Sequence, residues 1–373
     1  MFVIERDNLV HLFTALQQLG YTTVGPRLRD GAIVLDELRS PDDLPSGIRD
    51  EHSRGGYRTT QTGRPALFSY VVGPQSCKKY LYPSRFKLFT ARKNGKEFHV
   101  EPDKNAETRK FAFIGARACD LAAIDVLDKV LLHGPYVDES YRARRSGSFV
   151  VAVNCTVPAA NCFCVSMQTG PRASRGFDLA LTEVEKEGKH IFVAEVGSDR
   201  GRELMEKVPH RTATDEEMAE SAALVEQAAA SMTKSVNTEN LAKSLEDRFE
   251  DARWDGVAKR CLACANCTMV CPTCFCTNVE DVTAFDGTTA ERWRQWDSCF
   301  TSEFTHIAGG NIRMSTRSRY RQWLLHKFAF WQGQFNTFGC VGCGRCITWC
   351  PVGIDVTEEI QVLQQSPIPT RTL

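Results

Sequence analysis

Eight cysteines of this 373-residue chain repeat one spacing twice. Cys261-x2-Cys264-x2-Cys267-x3-Cys271-Pro272 is matched by Cys340-x2-Cys343-x2-Cys346-x3-Cys350-Pro351. Three thiolates two residues apart on a tight loop reach three irons of one cubane. The fourth cysteine, followed by proline, turns away and serves the cube of the other run. The spacing therefore predicts two 4Fe–4S clusters, one on Cys261, Cys264, Cys267 and Cys350, the other on Cys340, Cys343, Cys346 and Cys271. Zinc, which takes two CxxC pairs per ion, has no use for the doubled set.

A further group of thiols lies upstream. Cys119 sits between the apolar stretch FAFIGA (111–116) and an amphipathic stretch, DLAAIDVLDKVLL, with Asp120 as the expected cap. Cys155, Cys162 and Cys164 follow FVVAV (149–153) as NCTVPAANCFC. In an open α/β sheet the carboxyl ends of adjacent strands face one crevice. These four thiols are thus a candidate third 4Fe–4S site, the alternative being that they are small buried hydrophobes. NCTVPAANCFC and NCTMVCPTCFC share N-C-T and C-F-C at equal separation. That echo leaves Cys274 as an alternative to Cys271 for the fourth ligand. Cys299 and Cys77 read as plain thiols, buried in whole or part.

Composition narrows the class. Lys plus Arg equals Asp plus Glu, 46 against 46, which gives no reason to expect a nucleic-acid partner. The N-terminus MFVIERDNL has no signal-peptide pattern, and no apolar run approaches the ~20 residues of a membrane helix. Clustered cysteines in a large chain of this kind point to metal ligation in a reducing, cytoplasmic compartment rather than to disulfides.

The elements that must position these residues fall into three stretches, an α+β arrangement overall. Residues 1–210 read as a mixed α/β domain. A helix is expected from Leu9, capped by Asp7 or Asn8 and ended by Gly20; two strands flank Asp30-Gly31; the strand–helix–strand unit carries Cys119; and a hairpin turns at Glu187-Gly188-Lys189. Residues 211–260, rich in Ala, Glu and Leu, read as a helical connector. Residues 261–373 form the two-cluster domain, ending in a short Pro-containing tail. Residues 272–339, including SRYRQWLLHKFAFW, are too long a linker for a compact βαβ ferredoxin and favour an all-helical one.

No G-x-G-x-x-G follows a strand, no P-loop is present, and TGPRASRGF substitutes for neither. His133, His306 and His326 are isolated. Arg313, Arg317, Arg319 and Arg321 form a basic stretch, either a solvated or charge-offsetting face or a docking surface for an acidic partner. A standalone reductase would need an open iron or a redox dithiol, for which Cys274 and Cys276 are the candidate pair. A cluster protein without a visible substrate pocket fits a relay between partners.

The segments GARACDLAAIDVLDKVLL, NCTVPAANCFCVSMQTGP, RCLACANCTMVCPTCFCTNVEDV, WDSCFTSEF, STRSRYRQWLLHK and GCVGCGRCITWCPVGIDVTEEI resemble the β subunits of cytoplasmic NAD(P)-linked nickel–iron hydrogenases, the sulfhydrogenases. They are equally similar in pattern to the electron-transfer subunits of anaerobic sulfite reductases. The two-cluster domain is similar to the α-helical ferredoxins of succinate dehydrogenase and heterodisulfide reductase subunits. The hydrogenase resemblance implies a heteromeric complex. A flavin subunit exchanges electrons with NADH or NADPH, this chain carries them, and the hydrogenase small and large subunits react. In the alternative the catalytic partner is a sirohaem sulfite reductase subunit.

Overall fold

A computed structural model describes residues 1–102, 109–186 and 188–368. The N-terminal half is built on an eight-stranded mixed sheet. Its order is Arg211–Thr212, Phe2–Glu5, Lys189–Val196, Leu179–Lys186, Phe149–Val153, Lys110–Ala116, Tyr21–Arg29 and Ala32–Glu37. The four strands from Leu179–Lys186 to Tyr21–Arg29 run parallel to one another, and the flanking pairs are antiparallel. Lys110–Ala116 and Phe149–Val153 are buried along almost their whole length, as expected of central parallel strands covered on both faces.

Successive side chains alternate between two cores. Ile114, Val151 and Val153 pack with the helix Leu9–Gln18, while Phe113, Val150 and Ala152 pack with the helix Ala118–Leu131. Asn8 precedes the first helix without a side-chain cap. Asp120 is the third residue of its own helix rather than the residue before it. Its carboxylate accepts from the Arg117 amide at 3.1 Å. The Asp30-Gly31 turn is left-handed at both residues, φ 49° and 74°, which suits a two-residue hairpin. Gly188 is left-handed at the other expected turn; Glu187 lies outside the described residues.

Residues 211–260 divide between two cores. The helix Asp215–Ala230, opened by a Thr214–Glu217 capping box, places Met218 and Leu224 against Val3, Val184 and Val193 of the sheet. The helices Leu241–Glu246 and Arg253–Arg260 bury Leu241, Leu245, Trp254 and Val257 in the core of the cysteine region.

The cysteine region itself is not all helical, which corrects that expectation. Between its runs the strands Thr277–Thr283 and Thr289–Trp296 form a hairpin. It joins Arg85–Asn94 and Glu97–Pro102 in a four-stranded sheet. Most side chains of these four strands are exposed or half-buried, so no period-2 apolar pattern marks them. Beyond the hairpin, Thr316–Leu325 passes through a π-helical turn, His326–Phe330, into Trp331–Phe335.

Candidate metal centres

Three cavities are walled by cysteine. Cys261, Cys264, Cys267 and Cys350 line the first, with Cys346 at its edge. Cys271, Cys340, Cys343 and Cys346 line the second. The third is lined by Cys119, Cys155, Cys162 and Cys164, again with Cys343. Cys346 therefore borders the first two cavities, and Cys343 borders the second and third.

Local backbone produces this arrangement. In each run the residues two and four places after the first cysteine are left-handed: Ala263 and Ala265 at φ 51° and 66°, Gly342 and Gly344 at 64° and 72°. The chain then enters a one-turn helix, Asn266–Met269 or Arg345–Thr348. The tight path turns amides onto sulfur. Ala263 N lies 3.4 Å from Cys261 Sγ, Gly342 N 3.5 Å from Cys340 Sγ, and Ile354 N 3.3 Å from Cys350 Sγ. Amides donating to sulfur stabilise thiolate ligands.

The third cavity forms where the two halves meet. Cys119 follows the strand Lys110–Ala116 and Cys155 follows Phe149–Val153, and these strands are hydrogen-bonded neighbours. The loop carrying Cys162 and Cys164 lies on the second run. Phe163 N donates to Gly342 O at 2.8 Å, and Thr169 Oγ1 to Val341 O at 2.7 Å. A methyl group at Gly342 would meet Cys164 Cα at 2.7 Å, and one at Gly344 would strike the Asn161 carbonyl.

Burial pushes the thiols of Cys119, Cys155, Cys162, Cys267, Cys343 and Cys346 above their ordinary range, and those of Cys164 and Cys340 up to about 12. Such thiols ionise when a metal supplies the compensating charge. Cys271 goes the other way: a hydrogen bond from Cys274, with Lys327 adding to it, draws it down. Among the described residues no group of three or more His, Cys, Asp or Glu converges on a single ion. Four or more thiols lining one cavity, with no His, Asp or Glu among the described residues of its walls, suit an iron–sulfur cube, which takes soft thiolate donors.

Three buried cations around these cavities escaped the sequence reading. Lys327 Nζ lies 3.2 Å from Cys271 Sγ, 3.1 Å from Thr273 Oγ1 and 3.2 Å from Gly339 O. Arg345, inside the second run, holds Asp120 Oδ1 at 3.0 Å and Gly73 O at 3.1 Å beside Cys343. Arg117 donates to Phe68 O and Tyr70 O at 2.9 and 2.6 Å on the wall of the third cavity. The two arginines stand within or next to the cysteine motifs, which was the available signal. Lys327 is 56 residues from Cys271 and gave none.

Other sequence candidates are tied up locally. Arg317 and Arg321 pair with Glu250, and Arg319 donates to Phe300 O and Met314 O, so much of the basic stretch braces its own chain. Cys77 lies in the apolar core. In TGPRASRGF, Arg172 and Arg175 pair with Glu195 and Asp125. No described helix is long and apolar enough to cross a membrane.

Paired cysteine cavities of this kind define a dicluster iron–sulfur protein, and residues 260–354 match the family described as the 4Fe-4S dicluster domain. Over 296 residues, 77% of this chain and 81% of the relative, the sequence is 36% identical to sulfhydrogenase 2 subunit beta of Pyrococcus furiosus. The chain belongs to the family of sulfhydrogenase beta subunits: it is an iron–sulfur, electron-transferring oxidoreductase subunit related to hydrogenases. No solved structure matches it.

Proposed function

We propose that the chain relays electrons through three 4Fe–4S centres between a flavin subunit that exchanges electrons with NAD(P)H and a nickel–iron hydrogenase module. Cys261, Cys264, Cys267 and Cys350 hold the first centre, and Cys340, Cys343, Cys346 and Cys271 the second. Cys119, Cys155, Cys162 and Cys164 hold the third. The observation that carries this reading is the sharing of Cys346 and Cys343 between successive cavities, which sets the three in an unbroken row. One end of the row reaches the surface at Cys264, beside Leu262, which is 64% exposed. At the other end Cys155, Cys162 and Cys164 are buried.

Iron content tests the ligand sets. At four irons per cube the reconstituted chain should hold about twelve, and Cys155→Ser should remove about four while leaving the C-terminal spectra intact. Saturation at about four irons in the unaltered chain would contradict the reading. Stopped-flow reduction tests the role. NAD(P)H should bleach the clusters only when the flavin subunit is added, and rapid bleaching of the chain alone would reveal a nucleotide site of its own.

A further inference from the structure

Three cysteines stand outside the proposed ligand sets and beside them: Cys274, Cys276 and Cys299. The sequence pairs Cys274 with Cys276 as neighbours, but the fold pairs them otherwise. Thr277 lies opposite Trp296 in the hairpin, and one step beyond its open end Asp297 N donates to Cys276 O at 2.9 Å. This register brings the two emerging chains together, and the thiol of Cys299 hydrogen-bonds to the sulfur of Cys276. The Cys299 amide donates to the same sulfur.

The pair sits between two proposed centres. Cys299 packs in the same apolar cluster as Cys267, a residue of the first cavity. Cys274, two residues from Cys276, hydrogen-bonds to Cys271 of the second. Lys78 Nζ fixes that turn by holding Cys271 O at 2.8 Å and Cys274 O at 2.9 Å. Both Cys276 and Cys299 are half-buried rather than sealed in the core, so protons can reach them. The hydrogen bond from Cys299 draws the Cys276 thiol down to about 7, against burial.

We propose that Cys276 and Cys299 form a dithiol–disulfide couple that exchanges two electrons with the adjoining clusters, an inference that rests on the cluster reading above. On oxidation the two S–H bonds break, one S–S bond forms and two protons leave to solvent. The two electrons pass singly to oxidised clusters at Cys267 and Cys271. On reduction two cluster electrons and two protons cleave the S–S bond and restore both thiols. The couple joins one-electron carriers to a two-electron store inside the same chain.

The test is differential alkylation of the full-length chain, poised anaerobically at a series of potentials and read by peptide mass spectrometry. Cys276 and Cys299 should lose reactivity together as a linked peptide appears, with the disulfide-to-dithiol ratio changing tenfold per ~30 mV. In Cys276→Ser, Cys299 should stay reactive at every potential with iron content unchanged. Two freely alkylated thiols throughout the range in which the clusters titrate would overturn the proposal. So would loss of iron from Cys276→Ser or Cys299→Ser, which would make these residues ligands. Iron and cluster spectra on the same samples report separately on the cluster reading: iron absent sinks that reading, whereas iron present with both thiols always free sinks this one.

Discussion

The two C-terminal runs share a spacing and a backbone, yet their surroundings are opposite. Around Cys261–Cys267 the left-handed positions are alanines, Cys264 is exposed, and Phe300, Tyr320 and Trp323 line the cavity. Around Cys340–Cys346 the same positions are glycines, the N-terminal loop presses on them, and Lys327 and Arg345 are buried alongside. A left-handed alanine costs ~1–2 kcal/mol, tolerable where the methyl has room. It cannot be tolerated where another loop already occupies that space. The motif thus specifies how a cube is gripped, and the neighbours specify what the cube faces.

Gly344→Ala should have the largest effect. Its methyl group meets the backbone of Asn161, which cannot swing aside as a side chain would. Overpacking of this kind typically costs ~1–3 kcal/mol. Denaturant unfolding should show it, together with loss of iron from the proposed third site, since Asn161 adjoins Cys162. Unchanged stability would mean that the loop contact is not tight.

Lys327→Met sharpens the electrostatic half of the comparison. A unit charge acting at about 8 Å through an effective dielectric of ~20 is worth ~2 kcal/mol, or on the order of 100 mV for a one-electron couple. The proposed second centre should therefore become harder to reduce by that order, with the proposed first centre shifted much less. Redox titration followed by electron paramagnetic resonance checks this, and equal shifts at both centres would break the distinction.

The smallest effect is expected at Ala263→Gly. It converts the first run to the backbone chemistry of the second and relieves the left-handed methyl at φ 51°. Part of the relief is offset by the greater freedom of glycine in the unfolded chain, leaving a gain of about 0.5 kcal/mol. A loss of stability in thermal unfolding would show that the methyl packs usefully.

How much of this was legible follows from the range of the interactions. The cysteine runs are local patterns, and so are the strands FAFIGA and FVVAV. Placing Cys119 and Cys155 at the ends of adjacent strands needed only the rules of parallel sheets. Three features depended on partners far along the chain. The hairpin 277–296 pairs with 85–102, and its half-exposed strands carry no alternation. Cys276 meets Cys299 only because that hairpin closes. Lys327 turns toward Cys271 from within a π-helical turn, a distortion often found at functional sites that no spacing of apolar residues announces.

The shared four-stranded sheet has a further consequence, for the modularity of the chain. Each half contributes one hairpin, and the seam between the hairpins is the ladder of Thr289–Trp296 against Arg85–Asn94. A cut near residue 260 would leave both with a raw edge of unpaired amides and carbonyls, the kind that recruits foreign strands. Recombination that borrows the cysteine region as a portable ferredoxin must therefore carry residues 85–102 with it, or supply another strand in their place.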